Sequence, residues 1–326
     1  MLNYIIRRLL LVIPTVFLVS VIIFFMMRFI PGDMIDVMVS EWEAYRDIDR
    51  ATIEQALGLD VPVLEQYGRW IGFLRDKDGN FSGIFQGSLG VSFWKQTPVV
   101  GEIVSRLPVT IELAILAMLT QLIVALPIGV YSAMRQDTAG DYAGRSFATL
   151  LIALPNFWAG IMIILLASLF LGVAPLLKPI SFIKDPIRNL GQFIVPAFIL
   201  GMAGTGTIMR MTRSMVLEVL RQDYIRTAWA KGLRERVVLM RHTLRNALIP
   251  VVTQAGGRTR TMIGGAIIIE TVFSLPGIGR LLVDAINYRD YTMVSGIIFF
   301  FAGFLMLVNL LVDLTYGYID PRIHYK

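Results

Sequence analysis

The sequence predicts an all-α integral membrane protein with six transmembrane helices and both termini in the cytoplasm. Three observations carry this. The 326 residues are 56% hydrophobic and 17% charged, with mean hydropathy +0.66, whereas soluble chains are nearer half apolar and a quarter charged. Six stretches have the length and apolar character needed to cross a bilayer, about 20 residues each. The basic and acidic residues, finally, segregate to opposite sides of those stretches.

The first span, Leu9–Met27, contains no charge. It is too long for a signal-peptide core and is followed by Pro31-Gly32-Asp33 rather than a small-residue cleavage site, so it is expected to remain uncleaved. The others are expected at Ile111–Met134, Phe147–Leu171, Phe193–Met209, Pro250–Phe273 and Tyr291–Leu314. Pro14, Pro127 and Pro155 fall inside spans, where neighbouring helices can satisfy the freed backbone groups. The chain then divides into a first transmembrane helix (1–30), an external loop with short helices (31–106) and a core of five helices (107–326) interrupted by a cytoplasmic loop at 210–249.

Orientation follows from lysine and arginine near the span ends. Arg7 and Arg8 precede the first span and place the N-terminus inside. Six spans then put 210–249 inside as well, and that loop carries nine Lys/Arg against three acidic residues. Segment 28–106 carries eight Lys/Arg against twelve Asp/Glu and belongs outside. The two signals agree.

The positive-inside rule explains the cations of the loop but not their order. Asp223 is a good N-cap, and Ile225, Ala228 and Trp229 recur at helical spacing to make one apolar face. Gly232 suits the left-handed position that ends a helix. A helix of about two turns results, exposing Arg226 and Lys231. A second helix, from about Glu235 to Asn246, leads to Pro250. The first is too short to be stable alone and suits docking into a partner's groove. A helix-turn-helix DNA reader shares the outline, but both ends of this loop run into membrane spans and leave little room for a duplex.

Here the order becomes specific. The segment DYIRTAWAKGLRERVVLMRHTLRNALIPVVT resembles the cytoplasmic coupling loop of permease subunits of ATP-binding-cassette importers, most closely the dipeptide/oligopeptide/nickel branch. That family carries an EAA-type motif, an Ala-containing triplet followed after three residues by Gly. The triplet here is Arg226-Thr227-Ala228 and the glycine is Gly232. Arg226 replaces the acidic first residue and Pro250 lies farther from the glycine than in the general motif, as is usual in the peptide branch. The first span ending in PGD, the stretch SLGVSFWKQTPVVGEIVSRLPVTIELA before the second span, and the C-terminal blocks ETVFSLPGIGRLLVDAINYRDYT and NLLVDLTYGYIDPRI also resemble it, with Thr292 where proline is common. The match is weakest at 34–87, where Arg75–Gln86 reads as an insertion.

The resemblance implies a type I ABC importer permease fold in a prokaryotic inner membrane and a transport path for di- or oligopeptides. It implies Asp223, Tyr224, Arg226, Ala228, Lys231 and Gly232 as ATPase-coupling residues. Implied partners are a second homologous permease, two ATPase subunits that bind ATP and Mg, an external substrate-binding protein and membrane lipid. Nickel, glutathione and oligosaccharide travel through the same scaffold.

Several function classes are disfavoured. There is no cysteine, hence no disulfide, thiolate nucleophile or Cys-based metal site. His242 and His324 are too few and too far apart for a metal cluster. No Lys follows a Gly, so no GxxxxGK[ST] phosphate loop occurs, nor any GxSxG or HExxH. Glu112 and Glu270 do not form a paired acid/base site. No catalytic residue, cofactor or nucleic-acid partner is expected of this chain. An ATP-independent secondary transporter would show carboxylate pairs inside its spans, which are lacking. Gly201, Gly204, Gly264 and Gly265 suit close helix approach.

Two further features are legible. In DVPVLEQYGRWIGFLR, Asp60 can cap a helix with Pro62 in its first turn and Leu64, Tyr67, Trp70/Ile71 and Leu74 as its apolar stripe. It either folds onto the bundle or serves a partner. Arg258 and Arg260, in TQAGGRTRTMIGG, are unexpected in a span. At about 1.5 Å per residue Arg258 lies roughly 12 Å beyond Pro250, a costly depth for an ion unless it faces a cavity or partner. Either one of them lines the path and attracts an anionic group such as a peptide carboxylate, or the span begins later and both snorkel to the interface. Glu270, at a position acidic in the family, is a further candidate for lining the mouth or locking helices.

Overall fold

The computed structural model describes residues 2–29, 50–76, 79–172 and 179–319. Residues 30–49 of the external loop and residues 77–78 of the expected insertion lie outside the described residues, as does the side chain of Arg260. In chain order the helices are α1 (Leu2–Met26), α2 (Arg50–Leu57), α3 (Val63–Ile71), α4 (Val99–Met134), α5 (Ala139–Ala153), α6 (Asn156–Leu171), α7 (Pro186–Leu220), α8 (Asp223–Ala230), α9 (Leu244–Gly257), α10 (Thr259–Val272), α11 (Ile278–Asn287) and α12 (Tyr291–Ile319). Among the described residues, the lengths Leu10–Phe29, Val99–Met134, Pro186–Leu220 and Tyr291–Val312 are long and apolar enough to cross a membrane, or five such spans if the bent pair α5–α6 counts as one.

Two expected spans are not straight. Phe147–Leu171 is divided between α5 and α6, which bend by 100° at Leu154-Pro155. Proline lacks the N–H for the helical ladder and its ring clashes with the carbonyl four residues back. It also pushes the preceding residue to extended geometry, and Leu154 sits at φ −81, ψ 126. Pro14, Pro196 and Pro250 stay inside helices. Pro250–Phe273 is likewise two half-helices, α9 and α10, meeting at Arg258, and its apolar part Thr261–Val272 is short.

The chain forms two compact units. One comprises Met1–Pro108 and Leu281–Leu307. In it the expected external helix is α3. It begins after Pro62 rather than under an Asp60 cap and ends at Gly72, whose φ of +95 leaves the helix left-handed. Tyr67 donates or accepts a 2.9 Å bond with Ser20 of α1, and Trp70 meets Phe299 of α12 at 6.0 Å. Tyr67, Trp70 and buried Ile71 therefore make the packing stripe, while Leu64 is exposed. Asp290 caps α12 through Met293 N–H and accepts from Ser92 Oγ at 2.5 Å.

The second unit, Val109–Arg280 and Val308–His324, is organised on α7, which packs against α5, α6, α9 and α10. Leu113, Phe193, Ile199, Ile208, Val251 and Ile269 are buried in its core. Helix α4 reaches α7 at glycines. A Cβ on Gly201 would lie 2.7 Å from the Ala117 carbonyl oxygen, so only a hydrogen fits. Gly264, in contrast, has nothing within 4 Å of that position. Gly201→Ala is therefore expected to destabilise by about 1–3 kcal/mol through overpacking. Gly264→Ala should hold or raise stability, since alanine is the better helix former. Thermal unfolding of the two variants in one detergent checks both.

Candidate functional site

Two regions bear on function. The first is α8 and its surroundings. The expected loop 210–249 is more ordered than the sequence suggests, because α7 continues to Leu220 before the chain turns into α8. Asp223 is the first helical residue and Gln222 the cap, with no side-chain bond. Gly232 has φ +73 and donates to the Trp229 carbonyl at 2.9 Å, the left-handed stop that its position calls for. Ile225 and Ala228 are buried with Val238 against Leu220 and Leu233, so this side seats the helix on its own chain. Trp229 does not join that side. It is 43% exposed, and Tyr224 is 44% exposed, while Arg226 extends outward with a 3.4 Å contact to Asp223. Tyr224 Oη accepts a bond from Asn246 at 2.9 Å. The exposed positions of α8 are thus aromatic and basic, on a helix seated against its own chain. Beyond Gly232 the expected second helix runs without interruption from Glu235 into α9, with a π-helical turn at Val238–Thr243 where Thr243 Oγ1 bonds the Val238 carbonyl.

The second region is a cavity of about 450 Å³ inside the second unit, within the size range of small-ligand sites. Its polar wall comes from four helices, and of its polar residues the sequence pattern points only to Arg258. Gln121 of α4 is fully buried. Its amide lies over the bare backbone of Gly204, where any Cβ would collide with Oε1. Neither Oε1 nor Nε2 has a hydrogen-bond partner. Asn156 opens α6 just after the Pro155 break and donates to the Leu200 carbonyl at 3.3 Å. Arg258 stands at the junction of α9 and α10, with its Nε buried and unpartnered, and Thr261 lies one turn further on. The break between α9 and α10 lines the cavity. Among the described residues no carboxylate lines the cavity, so Arg258 gives it a positive field.

Glu270 lies elsewhere. It is fully buried and accepts from Thr110 Oγ1 at 2.7 Å and from Arg280 N–H at 3.0 Å. Thr110 in turn accepts from Ile278 N–H at 2.9 Å. The carboxylate ties α10 to α4 and to the start of α11, and is not among the cavity-lining residues.

Comparison with known proteins gives a consistent result. The model of the family described as binding-protein-dependent transport system inner membrane component matches residues 125–325. That of the corresponding N-terminal membrane component matches residues 1–114. The dipeptide transport system permease protein DppB of Escherichia coli K12 is 38% identical over 349 residues, covering all of both chains. The protein of that name in Alkalihalophilus pseudofirmus is 39% identical over 346, again covering both in full. A putative peptide transport system permease protein of Brucella suis is 39% identical over 321, covering 98% of each. An amino acid ABC transporter solved with histidines shares the fold at TM-score 0.52 and 14% identity, over 67% of this chain and 94% of that one.

Proposed function

Because the chain belongs to the binding-protein-dependent transport system inner membrane component family, we propose that it is a permease subunit of an ATP-driven importer that carries short peptides across a bacterial inner membrane. Full-length similarity to dipeptide and peptide transport permeases carries this reading. The chain crosses the membrane six times with both termini in the cytoplasm, the fifth crossing being made by α9 and α10 together. Residues 1–30 form the first crossing, 31–106 the external loop and 107–326 the five-helix core. The nine Lys/Arg of 210–249 on one side and the acid excess of 28–106 on the other support that orientation.

A second permease completes the path, an external binding protein delivers the peptide, and two ATPase subunits bind ATP and Mg. They grip the chain at α8 through Asp223, Tyr224, Arg226, Ala228, Lys231 and Gly232. The exposed aromatic and basic edge of that helix supports the assignment. Arg258 lines the path, Arg260 follows two residues later, and Glu270 holds helices together beside it.

The test is ATP hydrolysis by the tagged complex purified with its partners, with binding protein present. A di- to hexapeptide pool is expected to stimulate hydrolysis severalfold and an oligosaccharide pool to leave it at the basal rate. Stimulation by sugars alone would keep the machine and overturn the cargo. A purified chain without any ATPase would instead favour an ATP-independent transporter.

A further inference from the structure

We propose that the cavity between α4, α6, α7 and the α9–α10 junction is a subsite for the carboxyl end of a peptide, with Arg258 holding the terminal carboxylate and Gln121 the adjoining peptide bond. The inference rests on the peptide-transport reading and names the groups that would read the cargo.

The argument begins with Gln121. A side-chain amide offers two donors and an acceptor, and burying these without partners costs free energy that a leucine of similar size would not. Here both amide atoms are buried and unpartnered, and α7 presents Gly204 where any side chain would displace them. A residue that breaks the packing rule and is given room to do so marks a functional position. The complement of a lone primary amide is a peptide bond, whose C=O accepts from Nε2 or whose N–H donates to Oε1. The two point in opposite directions across a trans bond, so Gln121 takes one of them.

Arg258 supplies the second half. Its guanidinium is a planar fork that matches a carboxylate, its Nε is buried without a partner, and among the described residues no acid lines the cavity to neutralise it. A ligand bearing a negative end relieves that unbalanced charge, whereas a divalent cation meets like charge and a neutral sugar leaves it unpaired. An amide reader and a carboxylate reader lining one cavity suit the carboxyl end of a peptide, independent of its side chains. Such a site accepts many sequences while requiring a free carboxyl terminus.

Binding of radiolabelled alanyl-alanine to the complex, without binding protein and with alanyl-alanine carboxamide as competitor, tests this. The wild-type complex is expected to prefer the free acid by about tenfold or more, the usual scale of a charge-assisted hydrogen bond. Arg258→Gln should flatten that preference and Arg258→Lys retain part of it. Gln121→Leu should weaken acid and amide by the same factor, leaving the preference intact, yet raise the melting temperature because an unpaired buried amide is removed. A Gln121 that merely supports packing would do the reverse, losing stability and leaving binding unchanged. If peptides stimulate ATP hydrolysis but acid and amide bind wild type equally, or all three variants bind like wild type, the subsite is wrong and the transport reading stands. If peptides do not stimulate hydrolysis at all, the transport reading itself fails.

Discussion

Trp229→Ala is expected to lower the affinity of the ATPase subunits by about 30-fold or more and to cut transport with it. Tryptophans at interface centres commonly cost 2 kcal/mol or more on truncation, and each 1.4 kcal/mol is tenfold. The large effect rests on where α8 turns its side chains. Ile225 and Ala228 are consumed in seating the helix against Val238, so the edge left for a partner is Tyr224, Arg226 and Trp229. Because Trp229 is 43% exposed in this chain, its removal should leave the permease's own thermal unfolding unchanged. Ala228→Asp separates the two roles. At 6% exposure the new carboxylate would be buried without a counter-ion, and both unfolding temperature and ATPase co-purification should fall. Co-purification of ATPase subunits at matched permease amounts, with unfolding followed in parallel, measures both. Undiminished ATPase recovery with Trp229→Ala would remove α8 from the coupling role.

That α8 exists was legible because its signals are local. A Gly nine residues beyond Asp223 and a short amphipathic repeat are enough to define it. Which way Trp229 faces was not, since Ile225, Ala228 and Trp229 share a helical face and only the position of Val238 decides that two of them are covered. The apolar spans were legible for the same reason, being counts over contiguous residues. Their breaks were encoded but outweighed. Pro155 is tolerable inside a span, yet proline and its effect on the preceding residue, Leu154, are also a helix-ending signal. Gly256-Gly257 before Arg258 was likewise a place for a helix to pause. The cavity was the least legible part. Gln121, Asn156 and Gln254 come from separate helices and form no motif, and of the described lining residues Arg258 alone is ionisable. One signal was present: Gln121 is an amide within a long apolar run, and polar groups inside spans mark function by default.

The interaction whose loss should cost most in stability was also invisible in sequence, because its members lie 72 residues apart. Arg213 of α7 donates from Nε to Asp141 Oδ1 at 2.7 Å and from Nη2 to Oδ2 at 2.6 Å, and Asp141 is fully buried at the first turn of α5. The Asp137 N–H adds a third bond at 3.1 Å. Charge counting placed Arg213 among the loop cations, yet the structure uses it as a bidentate clamp between helices. Breaking a buried pair strands the surviving charge and costs about 3–5 kcal/mol, whereas replacing both partners with apolar residues of similar volume is often neutral. Arg213→Ala should therefore lower the unfolding temperature of the detergent-solubilised chain by on the order of 10 °C. Asp141→Leu combined with Arg213→Met should recover most of that loss. If the double replacement is as unstable as the single one, the pair is not the source of the stability and the packing of α5 on α7 carries it instead. If the double replacement is stable but transport is lost, the clamp is retained for a conformational reason, because a charged pair can part and re-form where an apolar contact would hold α5 and α7 in one arrangement.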